Sequence, residues 1–137
     1  MGQTSSSVEA FNLEEGEWEL KSKNEQFEHG FTGFTVVTLG SETLCFGGRH
    51  GMLSSPITNE VYRLFNYRLL RFGQSLLNPR QRHQSVVSGS TIVHVGGENC
   101  QYFEVWEQLE VGVFNIRQSP GCLSAWSEYP NSFVIDN

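Results

Sequence analysis

Two stretches of the chain repeat one pattern at an offset of 49 residues. Residues 34–48 read FTVVTLGSETLCFGG and residues 83–97 read HQSVVSGSTIVHVGG, so each has a β-rich run, a Gly-Ser turn, a second run and two glycines. Glycine tolerates the positive φ of a tight hairpin turn, and the flanking Val, Ile and Thr residues favour strands. The chain therefore contains two copies of one hairpin. A period of about 50 residues is typical of propellers and solenoids.

Other residues recur with this hairpin in a fixed order. A Phe-Asn pair occurs three times, beginning at Phe11, Phe65 and Phe114. Aromatic residues recur at intervals of 54, at Trp18, Phe72 and Trp126. A histidine lies 11 residues after the first two of these aromatics, at His29 and His83. We predict a unit of four antiparallel strands, A to D, in which strand B ends at paired glycines, namely Gly47, Gly48, Gly96 and Gly97.

Four short antiparallel strands per unit form a propeller blade, so the predicted fold is all-β, a partial propeller with four-stranded antiparallel blades. Residues 1–22 would supply strands C and D of one blade, 23–76 one full repeat, 77–130 a second repeat, and 131–137 the start of the next strand. Residues 1–137 thus form a single incomplete propeller of about two and a half blades, whereas closed propellers have about 4 to 8. Three alternatives stay open: a fragment of a longer product, protomers that complete one another, or an open array of sheets. Because both ends cut through the repeat, the fragment is favoured.

The charge of the chain limits its partners. The formal net charge of −6 disfavours sequence-independent binding of nucleic acid, because an acidic protein repels a polyanion. The charge is also polarised: residues 9–28 hold seven Glu and two Lys, whereas residues 61–83 hold five Arg and no acid. These segments are either solvated faces of neighbouring units or a pairing surface between chains.

Composition also argues against catalysis and a membrane span. Asp136 is the only aspartate, and metal-assisted phosphoryl transfer and Ser-His-Asp triads usually need one at a fixed place. The histidines lack metal-ligand spacing, so we predict no metal and no cofactor. No apolar run approaches the length of a membrane span, and the three cysteines have no C-x-x-C spacing. We expect a cytoplasmic protein with free thiols.

These residues resemble the kelch repeat family of β-propellers. The kelch pattern opens strand A with Arg-x-x-His, ends strand B with two glycines, and places Tyr-Asp on strand C with Trp seven residues later on strand D. The middle unit has Arg80-x-x-His83, and Phe72 follows Phe65 by seven residues, as Trp18 follows Phe11. The chain departs from the pattern because Phe-Asn replaces Tyr-Asp, and because Trp126 follows Phe114 by 12 residues.

The resemblance implies a non-catalytic protein–protein interaction module, or scaffold, that binds a partner through inter-strand loops on one face. The B to C loops are predicted at 49–59 and 98–108. We predict seven partner-binding residues in or beside the inter-strand loops: Arg49, His50, Arg80, Arg82, Tyr102, Phe103 and Trp106. The alternatives are that the aromatic residues form an extra strand packed on the next blade and that the arginines are ordinary solvated charges. If they bind a partner, Trp106→Ala with Arg80→Ala should weaken capture without unfolding the chain.

A second resemblance gives an alternative function. Gly47-Gly48-Arg49 followed by Ser55-Pro56 is similar to a Gly-Gly-Arg and Ser-Pro run in the kelch part of leucine-carboxyl-methyltransferase-like enzymes of tRNA wybutosine synthesis. In those enzymes the cofactor site lies in a separate methyltransferase domain. Catalysis by the present residues alone is therefore not expected under this alternative.

Overall fold

The secondary structure consists of short antiparallel strands. The computed structural model describes residues 6–23, 30–51, 55–98 and 100–122. The strands in these ranges are β1 (Ser7–Asn12), β2 (Glu17–Lys23), β3 (Phe31–Thr32), β4 (Thr35–Leu39), β5 (Glu42–Phe46), β6 (Arg49–His50), β7 (Val61–Phe65), β8 (Arg68–Arg71), β9 (Gln84–Ser88), β10 (Thr91–Val95), β11 (Tyr102–Glu110) and β12 (Val113–Cys122). No helix in the described ranges is long and apolar enough to cross a membrane.

Two four-stranded sheets account for most of the strands in the described residues. The first sheet has the strand order β4-β5-β7-β8, and the second has β9-β10-β11-β12. Every neighbouring pair in both sheets is antiparallel, so each sheet is a meander. Strands β1 and β2 form a separate hairpin, and β3 pairs with β6. The prediction of an all-β chain with four-stranded antiparallel blades is confirmed.

Turn chemistry explains why the hairpins form where they do. Gly40 and Gly89 take φ values of 61° and 59° at the first position of their two-residue turns, a conformation that glycine adopts without a Cβ penalty. Asn66 and Tyr67 have φ values of 47° and 59°, which matches the type I′ turn that joins twisted strands such as β7 and β8. These local residues fix the register of the β4-β5, β9-β10 and β7-β8 hairpins.

The paired glycines let two backbones touch where the sheets meet. Gly48 has a φ of 94°, and its N–H donates to the Arg80 carbonyl oxygen at 2.8 Å. A Cβ on Gly48 would lie 2.7 Å from the Thr32 carbonyl oxygen, and one on Gly47 would overlap the Arg80 carbonyl oxygen. Only glycine fits at these positions without moving the backbone.

The main core lies between the two sheets. Trp106 is completely buried, and its ring centroid lies 5.1 Å from that of Phe46 and 5.3 Å from that of Phe114. The other buried members of the core are Val37, Leu39, Leu44, Val61, Phe72, Leu76 and Ile92. Alternate residues of a strand point to opposite faces, so Cys45 lies on the other face of the first sheet, where it packs with Tyr62. Two aromatic rings, Phe31 and Phe34, pack against this smaller cluster.

The second sheet departs from the predicted strand plan. The predicted loop at 98–108 is wrong from Tyr102 onward, because β11 begins there. Strand β11 pairs with β10 in the predicted loop region, with Ile92 opposite Trp106. As a result, Phe114 lies on β12, the fourth strand of the sheet, and not on the third.

The seven-residue spacing from Phe to an aromatic also has two different geometries. Phe11 and Trp18 are direct cross-strand partners, because a four-residue turn joins β1 to β2. Phe65 instead pairs with Arg68 across a two-residue turn, so Phe72 lies beyond the far end of β8. The two pairs are therefore not structurally equivalent. The predictions for His29, Trp126 and residues 131–137 lie outside the described residues.

Candidate functional site

A buried arginine joins two strands of the second sheet. Arg80 lies in the connection between β8 and β9, and its side chain is completely buried. The guanidinium donates to the carbonyl oxygens of Gly96 at 3.2 Å and Tyr102 at 3.2 and 3.3 Å, with a longer contact of 3.4 Å to His94. Arg80 thereby joins the end of β10 to the start of β11.

A buried carboxylate completes this arrangement. Glu104 Oε2 lies 3.5 Å from Arg80 Nη2, and Glu104 Oε1 accepts hydrogen bonds from the Leu77 N–H at 2.7 Å and from Trp106 Nε1 at 2.9 Å. Both charged side chains are shielded from water, and burying either charge alone would cost several kcal/mol. Pairing and hydrogen bonding offset that cost. This group of residues holds the second sheet together.

Two predicted partner-binding residues are therefore inaccessible. Trp106 and Arg80 are both completely buried, so neither side chain can contact a partner in this arrangement. The prediction that the chain stays folded with both Trp106→Ala and Arg80→Ala is therefore wrong for this arrangement. We expect the double variant to unfold. Removing both side chains would empty part of the core and leave Glu104 as an unpaired buried charge.

A chain of short polar contacts runs between the sheets beside this arginine. His83 Nε2 lies 3.0 Å from Thr35 Oγ1. Thr35 Oγ1 lies 2.5 Å from Ser85 Oγ, and Ser85 Oγ lies 2.7 Å from His94 Nδ1. Burial, with a smaller effect of the nearby Arg80 charge, lowers the pKa of His83 to about 3. Burial first, then His83 and Arg80, lowers the pKa of His94 well below its ordinary value. Both imidazoles are neutral at pH 7.

The geometry of these histidines fits a structural role. A serine beside a histidine is the first requirement of nucleophilic catalysis, but a third group must orient the histidine and a substrate must reach the serine. His94 is completely buried against Phe46, with ring centroids 4.4 Å apart. Its Nε2 has no hydrogen-bond partner among the described residues. In the ranges that the structure describes, no group of three or more His, Cys, Asp or Glu residues could hold a metal ion.

Four connections meet at one end of the two sheets, which we call the loop end, comprising residues 30–34, 47–51, 80–83 and 96–98. Backbone hydrogen bonds fix these segments to one another: Gly51 N–H donates to the Gly30 carbonyl at 2.9 Å, and Glu98 N–H donates to the Gln81 carbonyl at 3.1 Å. There the partly exposed Glu98 accepts a hydrogen bond at Oε2 from Nε2 of the buried Gln81, and the same oxygen lies 4.0 Å from Arg49 Nη2. The loop end is thus a preformed polar surface.

Arg82 has an unusual backbone conformation at this end. Its φ of 54° is left-handed, which costs a residue with a Cβ about 1–2 kcal/mol. The Arg82 N–H donates to the Gly33 carbonyl at 2.8 Å, and this bond holds the conformation. Strained backbone of this kind is concentrated at functional sites. Arg82 as a whole is partly exposed.

A second polar group lies beside the loop end. Glu60 Oε2 accepts a hydrogen bond from the Tyr62 hydroxyl at 2.6 Å and lies 3.0 Å from His50 Nε2, while Glu60 Oε1 lies 3.8 Å from Arg71 Nε. Burial and this hydrogen bond raise the pKa of Tyr62. Glu60 was missed by sequence reasoning, since an isolated acid in a loop belongs to no pattern. Gln81, Glu98 and Glu104 were missed as well, since the sequence does not show which side chains lie near them.

Five of the seven predicted partner-binding residues keep some exposure. Arg49, His50 and Arg82 lie at the loop end. Tyr102 is exposed at the start of β11, where its carbonyl oxygen accepts from Arg80, and the neighbouring Phe103 is half-buried. The structure therefore brings the charged residues together and places the two aromatic residues on the adjoining strand.

No family model matches the chain, and no curated protein matches it.

Proposed function

We propose that the chain is a non-catalytic protein–protein interaction module of the kelch propeller type, and that it binds its partner through the loop end. The observation that carries this proposal is the convergence of four connections on one preformed polar surface. Loops that are fixed before binding lose little conformational entropy on binding, so their contacts contribute more fully to affinity. The buried histidines and the Arg80–Glu104 pair fit a structural role better than a catalytic one.

The chemistry of the loop end favours an acidic or peptide-like partner. Arg49 already lies near Glu98, and Glu98 is shared with Gln81, so these three side chains fix one another. Arg82 and His50 stand at the same end and are partly exposed. A carboxylate or a main-chain carbonyl of a partner would accept hydrogen bonds from the arginine side chains of this surface.

The test removes one guanidinium while keeping the backbone. Arg82→Gly suits this purpose because glycine adopts the left-handed conformation that Arg82 holds. The matched control is Arg68→Ala, which removes an exposed arginine from β8, near the opposite end of the first sheet. Each variant serves as bait for quantitative affinity capture from cell extract, after far-UV circular dichroism has shown that it is folded.

We expect at least one captured protein whose recovery falls about tenfold with Arg82→Gly and is unchanged with Arg68→Ala. Equal recovery of every captured protein with both variants would contradict binding through the loop end.

A further inference from the structure

The polar chain that joins His83 to His94 needs more protons than its two hydroxyl groups carry. It has three links: His83 Nε2 to Thr35 Oγ1 at 3.0 Å, Thr35 Oγ1 to Ser85 Oγ at 2.5 Å, and Ser85 Oγ to His94 Nδ1 at 2.7 Å. Each hydrogen bond uses one proton, and each hydroxyl carries only one. Thr35 and Ser85 therefore supply two of the three protons, and one of the histidines donates the third from its ring nitrogen.

This proton count couples the two imidazoles. We call His83 Nδ1 and His94 Nε2 the outer nitrogens, because the polar chain ends at the other nitrogen of each ring. Both rings are neutral at pH 7, so each carries one N–H. If His83 donates into the polar chain, its outer nitrogen is bare and the outer nitrogen of His94 keeps a proton. If His94 donates, the two roles are exchanged, so one outer nitrogen is always a donor and the other is always an acceptor.

The outer nitrogens are shielded from bulk water. His94 is completely buried and His83 is 4% exposed. Among the described residues, neither outer nitrogen has a hydrogen-bond partner, and the same is true of the buried Arg80 Nε. A buried polar atom without a partner costs free energy, so such atoms are usually bonded to protein or to ordered water.

The three atoms belong to neighbouring side chains. The imidazole centroids of His83 and His94 lie 5.8 Å apart. A Cβ on Gly97 would lie 3.1 Å from His83 Cβ and 3.3 Å from Arg80 Cβ, so those two side chains start close together. Arg80 Nη1 also lies 3.4 Å from the His94 carbonyl oxygen. The Phe46 ring packs against His94, with centroids 4.4 Å apart, and contributes an apolar wall.

The pattern of donors and acceptors selects the ligand. A metal ion binds bare nitrogens, but one outer nitrogen keeps its proton and the Arg80 charge repels a cation. A halide ion accepts from N–H groups, but the bare outer nitrogen presents only a lone pair to it. Water both donates and accepts, and a buried water typically makes about three hydrogen bonds. Water can accept from Arg80 Nε and from one outer nitrogen, and it can donate to the other.

We propose that the junction of the two sheets encloses bound water that is hydrogen-bonded to His83 Nδ1, His94 Nε2 and Arg80 Nε. The hydroxyls link the two imidazoles at one nitrogen of each ring, and the water binds the other nitrogen of each. The two histidines therefore have the same tautomer, either both protonated at Nε2 or both protonated at Nδ1. This water site does not depend on the proposed function.

The first experiment uses the unaltered chain with ¹⁵N-labelled histidine. Long-range proton–nitrogen correlation spectra at pH 7 show which ring nitrogen of each histidine carries the proton, and His83→Gln and His94→Gln assign the signals. We expect both rings to be neutral and to have the same tautomer. The N–H at an outer nitrogen should also show a nuclear Overhauser cross-peak to water, with the sign of a long-lived bound water.

A second experiment counts long-lived waters by ¹⁷O magnetic relaxation dispersion. His94→Phe keeps a flat ring at the buried position but removes its nitrogens, and the matched control His50→Phe makes the same change at a partly exposed histidine of the loop end. We expect His94→Phe to lose at least one long-lived water and His50→Phe to lose none. Circular dichroism shows whether each variant keeps the β spectrum of the parent chain.

Opposite tautomers of His83 and His94, or a charged ring at pH 7, would overturn the proposal. So would an outer N–H without a water cross-peak, or an equal count of long-lived waters in the parent chain and a folded His94→Phe variant. If His94→Phe does not fold, the spectra of the parent chain decide the question alone. Neither measurement involves capture of a partner, so the failure of this proposal and the failure of the proposed function are separate results.

Discussion

Replacing Trp106 by alanine tests whether the packed core between the two sheets is the main source of the chain's stability. The Trp106 ring is completely buried among Phe46, Phe72 and Phe114, and its Nε1–H donates to Glu104 at 2.9 Å. Truncation of a buried aromatic residue to alanine costs about 3–5 kcal/mol. Loss of the hydrogen bond adds about 1 kcal/mol, reduced here because Leu77 N–H still donates to the same carboxylate oxygen.

A cost of about 4 kcal/mol is a large share of the roughly 5–15 kcal/mol that stabilises a typical domain. It lowers the folded-to-unfolded ratio by roughly a thousandfold, since about 1.4 kcal/mol corresponds to a factor of ten. The assay is urea unfolding followed by far-UV circular dichroism, because Trp18 and Trp126 would also contribute to fluorescence. We expect Trp106→Ala to lower the midpoint strongly or to leave the chain unfolded without urea.

The matched control is Leu109→Ala on the same strand. Leu109 is 66% exposed, so its truncation should change the free energy of unfolding by no more than about 0.5 kcal/mol. The reasoning is refuted if Trp106→Ala costs less than about 1 kcal/mol, or if the two substitutions cost the same.

The junction of the sheets supports two further predictions. Because burial lowers the pKa of His83 to about 3 and that of His94 well below 6.5, the unfolded chain binds more protons than the folded chain between these values. Their contribution to stability is therefore complete above pH 6.5 and is lost as the pH falls toward 3, by up to about 1.4 kcal/mol per pH unit for each histidine. Urea midpoints at several pH values measure this loss. A His83→Gln variant whose stability falls with pH as steeply as that of the parent chain would contradict the prediction. Gly47→Ala should destabilise the chain by at least about 2 kcal/mol more than Gly40→Ala. Both glycines have positive φ, but only a Cβ at Gly47 would overlap a backbone atom, the carbonyl oxygen of Arg80. Equal urea midpoints for the two variants would show that the backbone at Gly47 moves freely.

The features that sequence reasoning predicted correctly are set by local chemistry. The turns at Gly40 and Gly89 need positive φ, and the residues beside them are β-branched, so both hairpins could be placed from a few adjacent residues. The prediction of the third and fourth strands of each sheet depended on the assumption that the loops of the two repeats have equal length. The stretch from Tyr102 to Trp106 is rich in the aromatic and β-branched residues that favour strands, but that assumption placed it in a loop.

Residues of the candidate site were harder to predict because their roles are tertiary. Arg80 looked like a surface charge, since nothing near it in sequence shows that Glu104 lies 3.5 Å away. The seven-residue spacing between Phe and an aromatic residue gave a wrong prediction for a related reason. That interval contains a four-residue turn after Asn12 but a two-residue turn after Phe65. Sequence distance fixes position in space only when the turn length is known.

Arg80 precedes the second sheet in the chain but binds the carbonyl groups of that sheet's second and third strands. A segment that keeps this support for the sheet therefore begins before Arg80, and also before Leu77, whose N–H binds Glu104. A truncated chain that starts at the first residue of β9 would contain every strand of the sheet and lack the group that joins them. The same boundary applies to gene duplication: a copied unit keeps its internal support only if the connecting segment is copied with the strands that follow it.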